Sequence, residues 1–200
     1  LQQYYIVNPE LNGYKVCTSP KFSSNVNSKH IIEFTELTEI KNIELEEIDN
    51  NSMQSSRTIQ YAINKYQKHP VYKYYYLYFK TLNMILVIRK ITVENITIVR
   101  IVDILGNAYN VKQIASTLQK FLIDHNYEYI DFLNEGLNKD ELINNGFSVR
   151  DDDKQNGTII PMYFEPFLKE NKTIGFAYKT KLEQILLFKA DADQDRPNVI

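Results

Sequence analysis

The stretch from Thr97 to Leu133, TIVRIVDILGNAYNVKQIASTLQKFLIDHNYEYIDFL, decides the fold. Thr97–Leu105 is mostly β-branched and apolar, which predicts a strand. After a polar loop, apolar residues recur at spacings of three and four and predict an amphipathic helix over Tyr109–Asp124. Tyr127–Leu133 predicts a second strand. A helix between two strands favours a right-handed crossover with parallel strands, so we expect one parallel pair in the sheet.

The rest of the pattern predicts an α/β protein of the α+β kind, with a mixed central sheet that is mostly antiparallel. Tyr72–Lys80, Met84–Ile91 and Ile96–Leu105 are strand-like runs joined by connections of hairpin length. The elements expected before them are a strand at Ile31–Phe34, an acidic helix at Glu36–Asp49 and a helix at Thr58–Gln67 that His69-Pro70 ends. The elements expected after Leu133 are a helix at Asn138–Asn145, with Asn138 and Glu141 as its capping pair, and strands at Thr158–Phe164, Thr173–Tyr178 and Gln184–Lys189.

Length and composition indicate one ordinary domain, or one domain plus a piece of another. The 200 residues are 44% hydrophobic, enough for one ordinary core. Gln3–Val7 and Tyr14–Thr18 predict a short hairpin, and the small polar residues of Lys21–Lys29 predict a linker. We therefore divide the chain into an N-terminal hairpin and linker, residues 1–28, and a domain of residues 29–200.

Charge and hydropathy exclude some classes of partner. The formal net charge of −2 argues against nucleic-acid binding, which usually needs a basic face. No run of apolar residues approaches the length of about 18 consecutive residues that a membrane-spanning helix needs. Cys17 is the only cysteine, so an internal disulfide is excluded, and a cytoplasmic location is expected.

The order of the predicted elements resembles the GCN5-related N-acetyltransferase (GNAT) fold over residues 30–190. Three stretches, Tyr66–Tyr74, Arg100–Gly106 and Phe188–Asn198, are similar to a bacterial GNAT-like family associated with surface-polysaccharide biosynthesis. The most specific is the last, FKADADQDRPN, because a charged string of fixed order is improbable by chance. The resemblance implies that Leu1–Pro20 is the end of a preceding, related domain.

The resemblance also implies an acyl-CoA site and a sugar or sugar-nucleotide acceptor. The strands Ile96–Leu105 and Tyr127–Leu133 would diverge to admit the pantetheine arm, and the pyrophosphate would lie at the N-terminus of the Tyr109–Asp124 helix. Asp103 or Glu135 would take the acceptor's proton. The cofactor-binding residues implied are Val102, Ile104, Gly106, Asn107, Ala108, Tyr109 and Asn110. The acceptor-binding residues implied are Asn134, Asp193, Asp195 and Arg196.

The residue pattern leaves alternatives open for the two carboxylates. Strand alternation predicts that Arg100 and Asp103 lie on opposite faces and do not pair with each other. Asp103 lies near the carboxyl end of its strand, where open α/β sheets place ligands, and is a candidate base. The alternative is a structural ion with a partner, or a side chain facing solvent. Asn134 and Glu135 follow the next strand and are either site residues or turn formers.

Other polar and aromatic residues have two interpretations. Asp191, Asp193 and Asp195 alternate like calcium ligands, but Arg196 stands where that loop needs glycine, so no metal is expected. We expect these carboxylates either to pair with Arg196 or to face a hydroxyl-rich acceptor. His69 is expected to cap its helix. The run of tyrosines could stack on sugar rings or simply cover a half-exposed strand, namely Tyr72, Tyr74, Tyr75, Tyr76 and Tyr78.

Three functions follow as hypotheses. The first is a GNAT-type acyltransferase that acts on a sugar precursor of a surface polysaccharide. The second is a catalytically silent GNAT-like module that binds a carbohydrate or a protein, suggested by a loop with one glycine and a bulky Tyr109, and by the lack of tyrosine in Lys139–Asn145. The third is an aminoacyl or peptidyl transferase of the same fold that takes its acyl group from charged tRNA, and the absence of a basic excess argues against it.

Overall fold

A computed structural model describes residues 1–10, 30–46, 57–93, 95–150, 160, 175–179 and 185–191. The described strands form one open, mixed sheet of eight strands in an α/β fold, ordered β2-β3-β4-β5-β6-β1-β7, with β8 paired to β6. Their bounds are β1 Gln2–Val7, β2 Thr35–Leu37, β3 Tyr75–Phe79, β4 Met84–Val93, β5 Ile96–Gly106, β6 Tyr129–Glu135, β7 Ser148–Val149 and β8 Leu187–Phe188.

Three α-helices accompany the sheet in the part of the chain that the structure describes. Helix α1, Ile59–Ala62, begins at Thr58, whose side chain accepts the Tyr61 N–H, and continues as a π-helical turn, Ile63–Gln67. The crossover helix α2 is Ala115–His125, and α3 is Lys139–Asn144. Short 3-10 segments lie at Lys80–Leu82, Ala108–Gln113 and Lys189–Asp191. None of the helices in the described ranges has the length and apolar character needed to cross a bilayer.

The predicted parallel crossover is confirmed. β5 and β6 are parallel neighbours, with Val99 beside Ile130, Arg100 beside Asp131 and Ile101 beside Phe132. The other strand pairs described are antiparallel. Helix α2 joins the two strands and buries an apolar stripe that includes Leu118, Phe121 and Leu122. This stripe belongs to the main core cluster, which also contains residues of β1, β3, β4, β5 and β6.

The start of the crossover helix was predicted wrongly. It begins at Ala115, and the Tyr109–Gln113 part of the predicted helix is a 3-10 segment. The Asn110 side chain donates to the Leu82 carbonyl at 2.8 Å and accepts from Gln113 at 2.9 Å. These side-chain hydrogen bonds to neighbouring groups compete with regular helical geometry, as short polar side chains commonly do.

The acidic helix predicted at Glu36–Asp49 is wrong over its described part. Residues 36–46 contain the end of β2 followed by turns and chain without regular secondary structure, and the strand expected at Ile31–Phe34 lies at Thr35–Leu37 instead. Ile40 is fully buried, and its N–H donates to the Gln67 side-chain oxygen at 3.1 Å. Tertiary contacts therefore override a helical pattern whose intrinsic preference is weak.

A β-bulge corrects the prediction that Arg100 and Asp103 lie on opposite faces. Val87 pairs with Asp103 and Ile88 pairs with Ile101, which leaves Val102 as an extra residue in β5. An extra residue reverses the alternation beyond it. Before the bulge, Val99 and Ile101 face the main core cluster, so Arg100 faces away from it; after the bulge, Ile104 faces that cluster. Asp103 thus lies on the same face of the sheet as Arg100.

Strand β1 is an inner strand of this sheet, paired to β6 on one side and to β7 on the other. This confirms the strand predicted at Gln3–Val7. That residues 1–28 end a preceding domain stays a prediction, and the strand at Tyr14–Thr18 and the linker lie outside the described residues.

At the other end of the chain, the run predicted at Gln184–Lys189 forms a strand only at Leu187–Phe188. Residues 175–178, the described part of the predicted Thr173–Tyr178 strand, are not in a strand. Of Thr158–Phe164, only residue 160 is described, and it is outside any strand.

Candidate functional site

The place where β5 and β6 separate is filled by the chain itself. On β6, Asn134 pairs with Gln2 of β1 on one edge and with Phe188 of β8 on the other. Because each strand has two edges, β8 lies on the β5 side of β6. β5 also contacts β8 and the 3-10 turn after it. The segment Leu187–Asp191, which we call the closing segment, therefore lies between the carboxyl ends of the two parallel strands.

Asp103 lies beside the closing segment and is fully buried. Its carboxylate forms an ion pair with Arg57 and accepts a hydrogen bond from the Tyr66 hydroxyl. It also accepts the Ile104 N–H at 2.8 Å. Burial raises the pKa of Tyr66, which keeps this hydroxyl protonated as a donor. The candidate base is thus a carboxylate with three partners.

Arg57 connects Asp103 to the closing segment. Its side chain is 9% exposed and pairs with both Asp103 and Asp191. The guanidinium carbon lies 5.3 Å from the centre of the Phe188 ring, and the Asp191 carboxylate accepts the Phe188 N–H at 2.8 Å. Lys65 donates to the Ala190 carbonyl at 2.9 Å. Through Arg57 and Lys65, these contacts fasten the closing segment to β5 and to the π-helical turn that follows α1.

Arg100 forms a second buried ion pair on the same face of the sheet. Its Nε lies 2.7 and 2.9 Å from the two oxygens of Asp131, and its Nη2 also pairs with that carboxylate. The Gln3 side chain donates to Asp131 at 3.2 Å. Arg100 and Asp103 therefore have separate partners. This agrees with the structural alternative, in which each buried charge has a partner of its own.

The predicted phosphate loop packs against the turn between β3 and β4. Gly106 has a φ of +76°, and a Cβ placed there would lie 2.2 Å from the Asn83 carbonyl oxygen. The same oxygen accepts the Asn107 N–H at 2.9 Å. Ala108 is buried, and Tyr109 is half-buried against the main core cluster. The close approach to Asn83 explains why the loop has a glycine at position 106. The backbone N–H of Asn107 already donates to Asn83, so it is not available to a phosphate.

The remaining predicted residues lie at the end of β6 or outside the described chain. Asn134 is 1% exposed, and its Nδ2 atom has no hydrogen-bond partner among the described residues. Glu135 is beside Leu187, and its side chain is 40% exposed. Val102 is the bulge residue of β5, and Ile104 lies on the same strand after the bulge. Asp193, Asp195 and Arg196 lie outside the described residues, as does most of the chain around them. Within the described ranges, no group of three acidic, histidine or cysteine side chains could hold a metal.

A cleft on the surface was not predicted as a site, although most of its lining residues lie in the Tyr66–Tyr74 stretch that the sequence singled out. It has a volume of about 420 Å³. We call it the aromatic cleft, and its lining residues are Thr38, Glu39, Tyr66, Gln67, His69, Val71, Tyr72, Lys73 and Tyr74. Of the other tyrosines of the run, Tyr76 is buried and Tyr78 lines a different cleft. Tyr66 lines the aromatic cleft and also donates to Asp103, so the two regions share one side chain.

Comparisons with known proteins gave no match to a family model, to a curated protein or to a solved structure. The two regions whose geometry bears on function are the closing segment and the aromatic cleft.

Proposed function

We propose that this chain is a GNAT-like module that binds a sugar-type ligand in surface-polysaccharide biosynthesis and does not transfer an acyl group. The antiparallel strands β2 to β5, followed by one parallel crossover, support the GNAT-like part of the proposal. The observation that carries the silent part is the closing segment between β5 and β6. The resemblance to a polysaccharide-biosynthesis family supports the class of ligand.

The described arrangement does not fit acyl-CoA. The pantetheine arm would need the space that Leu187 and Phe188 occupy. The candidate base, Asp103, is fully buried and bound by Arg57 and Tyr66. A general base must reach the proton that it removes, and this carboxylate faces an arginine instead. We therefore derive no acyl-transfer step.

The acyl-CoA-dependent acyltransferase is the second candidate function, with Asp103 or Glu135 as its base. The observation in its favour is the form of β5, which pairs with β6 over only three residues and carries a bulge at Val102. Bulges leave a residue out of the ladder and often lie next to active sites. This candidate requires the closing segment to leave its place when acyl-CoA binds.

Calorimetry with acetyl-CoA separates the two candidates. The proteins are the wild type, Asp191→Ala, which removes the Arg57 contact of the closing segment, and Asp124→Ala as a control. Asp124 is a half-exposed carboxylate paired with Lys120 on α2, far in sequence from the closing segment. We expect no saturable heat with any of the three proteins at acetyl-CoA concentrations near 1 mM. A dissociation constant of about 1 mM corresponds to a binding free energy of about 4 kcal/mol, so any binding would be weaker than that. Saturable binding to the wild type, or to Asp191→Ala alone, would support the acyltransferase and contradict the silent module.

A further inference from the structure

We propose that the aromatic cleft binds an uncharged, hydroxyl-rich sugar ring. This inference rests on the proposed function for the class of ligand and adds the place and the groups that recognise it. The cleft combines a tyrosine and histidine wall with an acid, an amide and an amine: Glu39, Gln67, His69, Tyr72, Lys73 and Tyr74. A few convergent polar groups beside aromatic side chains are typical of small-molecule sites. Its volume of about 420 Å³ is that of a small ligand site.

The aromatic wall is held in place by the protein alone. The guanidinium carbon of Arg89 lies 3.6 Å from the centre of the Tyr72 ring. The His69 ring is nearly parallel to Tyr72, with 5.1 Å between centres and an angle of 8°. His69 Nδ1 accepts the Tyr72 N–H at 2.9 Å, and the His69 ring meets the Tyr74 ring edge-on. A wall that is already ordered loses little conformational entropy when a ligand binds.

The polar groups suit the hydroxyls of a sugar. The Glu39 side chain is 66% exposed and its carboxylate lies 3.8 Å from the ammonium of Lys41, whose side chain is 60% exposed, so this surface pair is weak. Gln67 uses its oxygen to accept the Ile40 N–H at 3.1 Å, which fixes the orientation of its amide nitrogen. A sugar hydroxyl both donates and accepts, so a carboxylate acceptor and an amide donor can each bind one.

The charges of the cleft favour an uncharged ring. Glu39 and Lys73 both line the cleft, so an anion attracted by Lys73 is repelled by Glu39, and a cation attracted by Glu39 is repelled by Lys73. Lys73 also lies with its Nζ 5.1 Å from the Tyr75 ring centre, which limits how far it can reach toward a phosphate. A neutral pyranose meets neither repulsion.

Titration of the full chain with methyl glycosides tests the inference. The probes are the methyl pyranosides of glucose, galactose, mannose and N-acetylglucosamine, followed by amide chemical shifts. We expect at least one probe to cause saturable shifts at residues of the cleft in the millimolar range. Glu39→Gln keeps the shape of the side chain and removes the charged acceptor, and we expect it to weaken binding about tenfold. Glu33→Gln, an exposed carboxylate outside the cleft, is the matched control and is expected to bind like the wild type.

The outcomes separate this inference from the proposed function. Sugar binding that Glu39→Gln leaves unchanged, or that Glu33→Gln weakens equally, would overturn the aromatic cleft as the site and leave a sugar-binding module standing. Shifts that do not saturate with any of the four probes would overturn the cleft and count against the proposed function as well. Acetyl-CoA binding would contradict only the silent part of the proposed function.

Discussion

Arg57 forms a bridge between a fully buried carboxylate, Asp103, and that of Asp191, whose side chain is 28% exposed. The first lies on β5 and the second at the end of the closing segment, so one guanidinium fastens a strand to a residue 88 positions further along the chain. A planar guanidinium can serve two carboxylates at once because it carries five N–H donors. The bridge explains why Asp103 can be buried as an ion.

Arg57→Met tests the contribution of this bridge. The substitution keeps a long side chain over Phe188 but leaves the buried Asp103 without its cation, and breaking a buried pair typically costs about 3–5 kcal/mol. We expect a loss of that order in the free energy of unfolding, measured by urea denaturation. Lys120→Met, which breaks an exposed pair with Asp124, is the control and should cost less than about 1 kcal/mol. Equal stability of the two variants would show that Arg57 is not needed to bury Asp103.

Gly136→Ala tests how the closing segment is placed. Gly136 has a φ of +97°, and a Cβ there would lie 1.9 Å from the Ile185 carbonyl oxygen. The methyl group must push the backbone of the approaching chain away, in addition to straining its own backbone by about 1–3 kcal/mol. We expect lower stability and faster amide exchange at Leu187 and Phe188. Gly175→Ala is the matched control, because a Cβ there meets nothing within 4 Å. Unchanged exchange at Leu187 in Gly136→Ala would contradict the close approach.

The crossover could be predicted from sequence because its signals are local and agree with one another. Apolar periodicity on α2 and β-branched runs on both sides leave one sterically favoured topology. The prediction of a helix at Glu36–Asp49 was wrong because the Ile40 N–H donates a hydrogen bond to the side chain of Gln67, which is distant in sequence. The bulge at Val102 also left no signal, since a single extra residue is set by the partner strand.

The candidate site was predicted less completely than the fold. Asp103 and Asn134 were recognised as polar residues at strand ends, but their environment depends on Arg57 and Phe188, which are far from them in sequence. The aromatic cleft brings Glu39 together with Tyr72, and no periodicity relates the two. Pairings of this kind arise only when the sheet is assembled.

Asn138→Ala tests a cap that the sequence did predict. The Asn138 side chain accepts the Glu141 N–H at 3.0 Å at the start of α3. Loss of such a cap costs about 0.5–2 kcal/mol, and we expect a decrease of about 1 kcal/mol in the free energy of unfolding. Asn138→Asp keeps the acceptor and is expected to restore most of the stability. If the aspartate variant is as unstable as the alanine variant, the side-chain bond is not the cause.

Glu128→Gln tests the pH dependence of stability. Burial raises the pKa of Glu128 above its ordinary value of 4.5, while its main chain is fixed by hydrogen bonds to Thr97 and Asn8 at 2.8 and 2.9 Å. Between 4.5 and the raised pKa the folded state binds more protons than the unfolded state, so stability falls as the pH rises through that window. Above the window the folded protein carries the full cost of the buried charge.

We therefore expect Glu128→Gln to be more stable than the wild type at neutral pH and nearly equal to it near pH 4. Urea denaturation at both pH values measures the difference, with the exposed Glu33→Gln as a control that should show no gain. A Glu128→Gln variant less stable than the wild type at neutral pH would mean that the ionised carboxylate stabilises the fold. Its position between α2 and β6 would then need a cationic partner, because an isolated buried carboxylate only costs free energy.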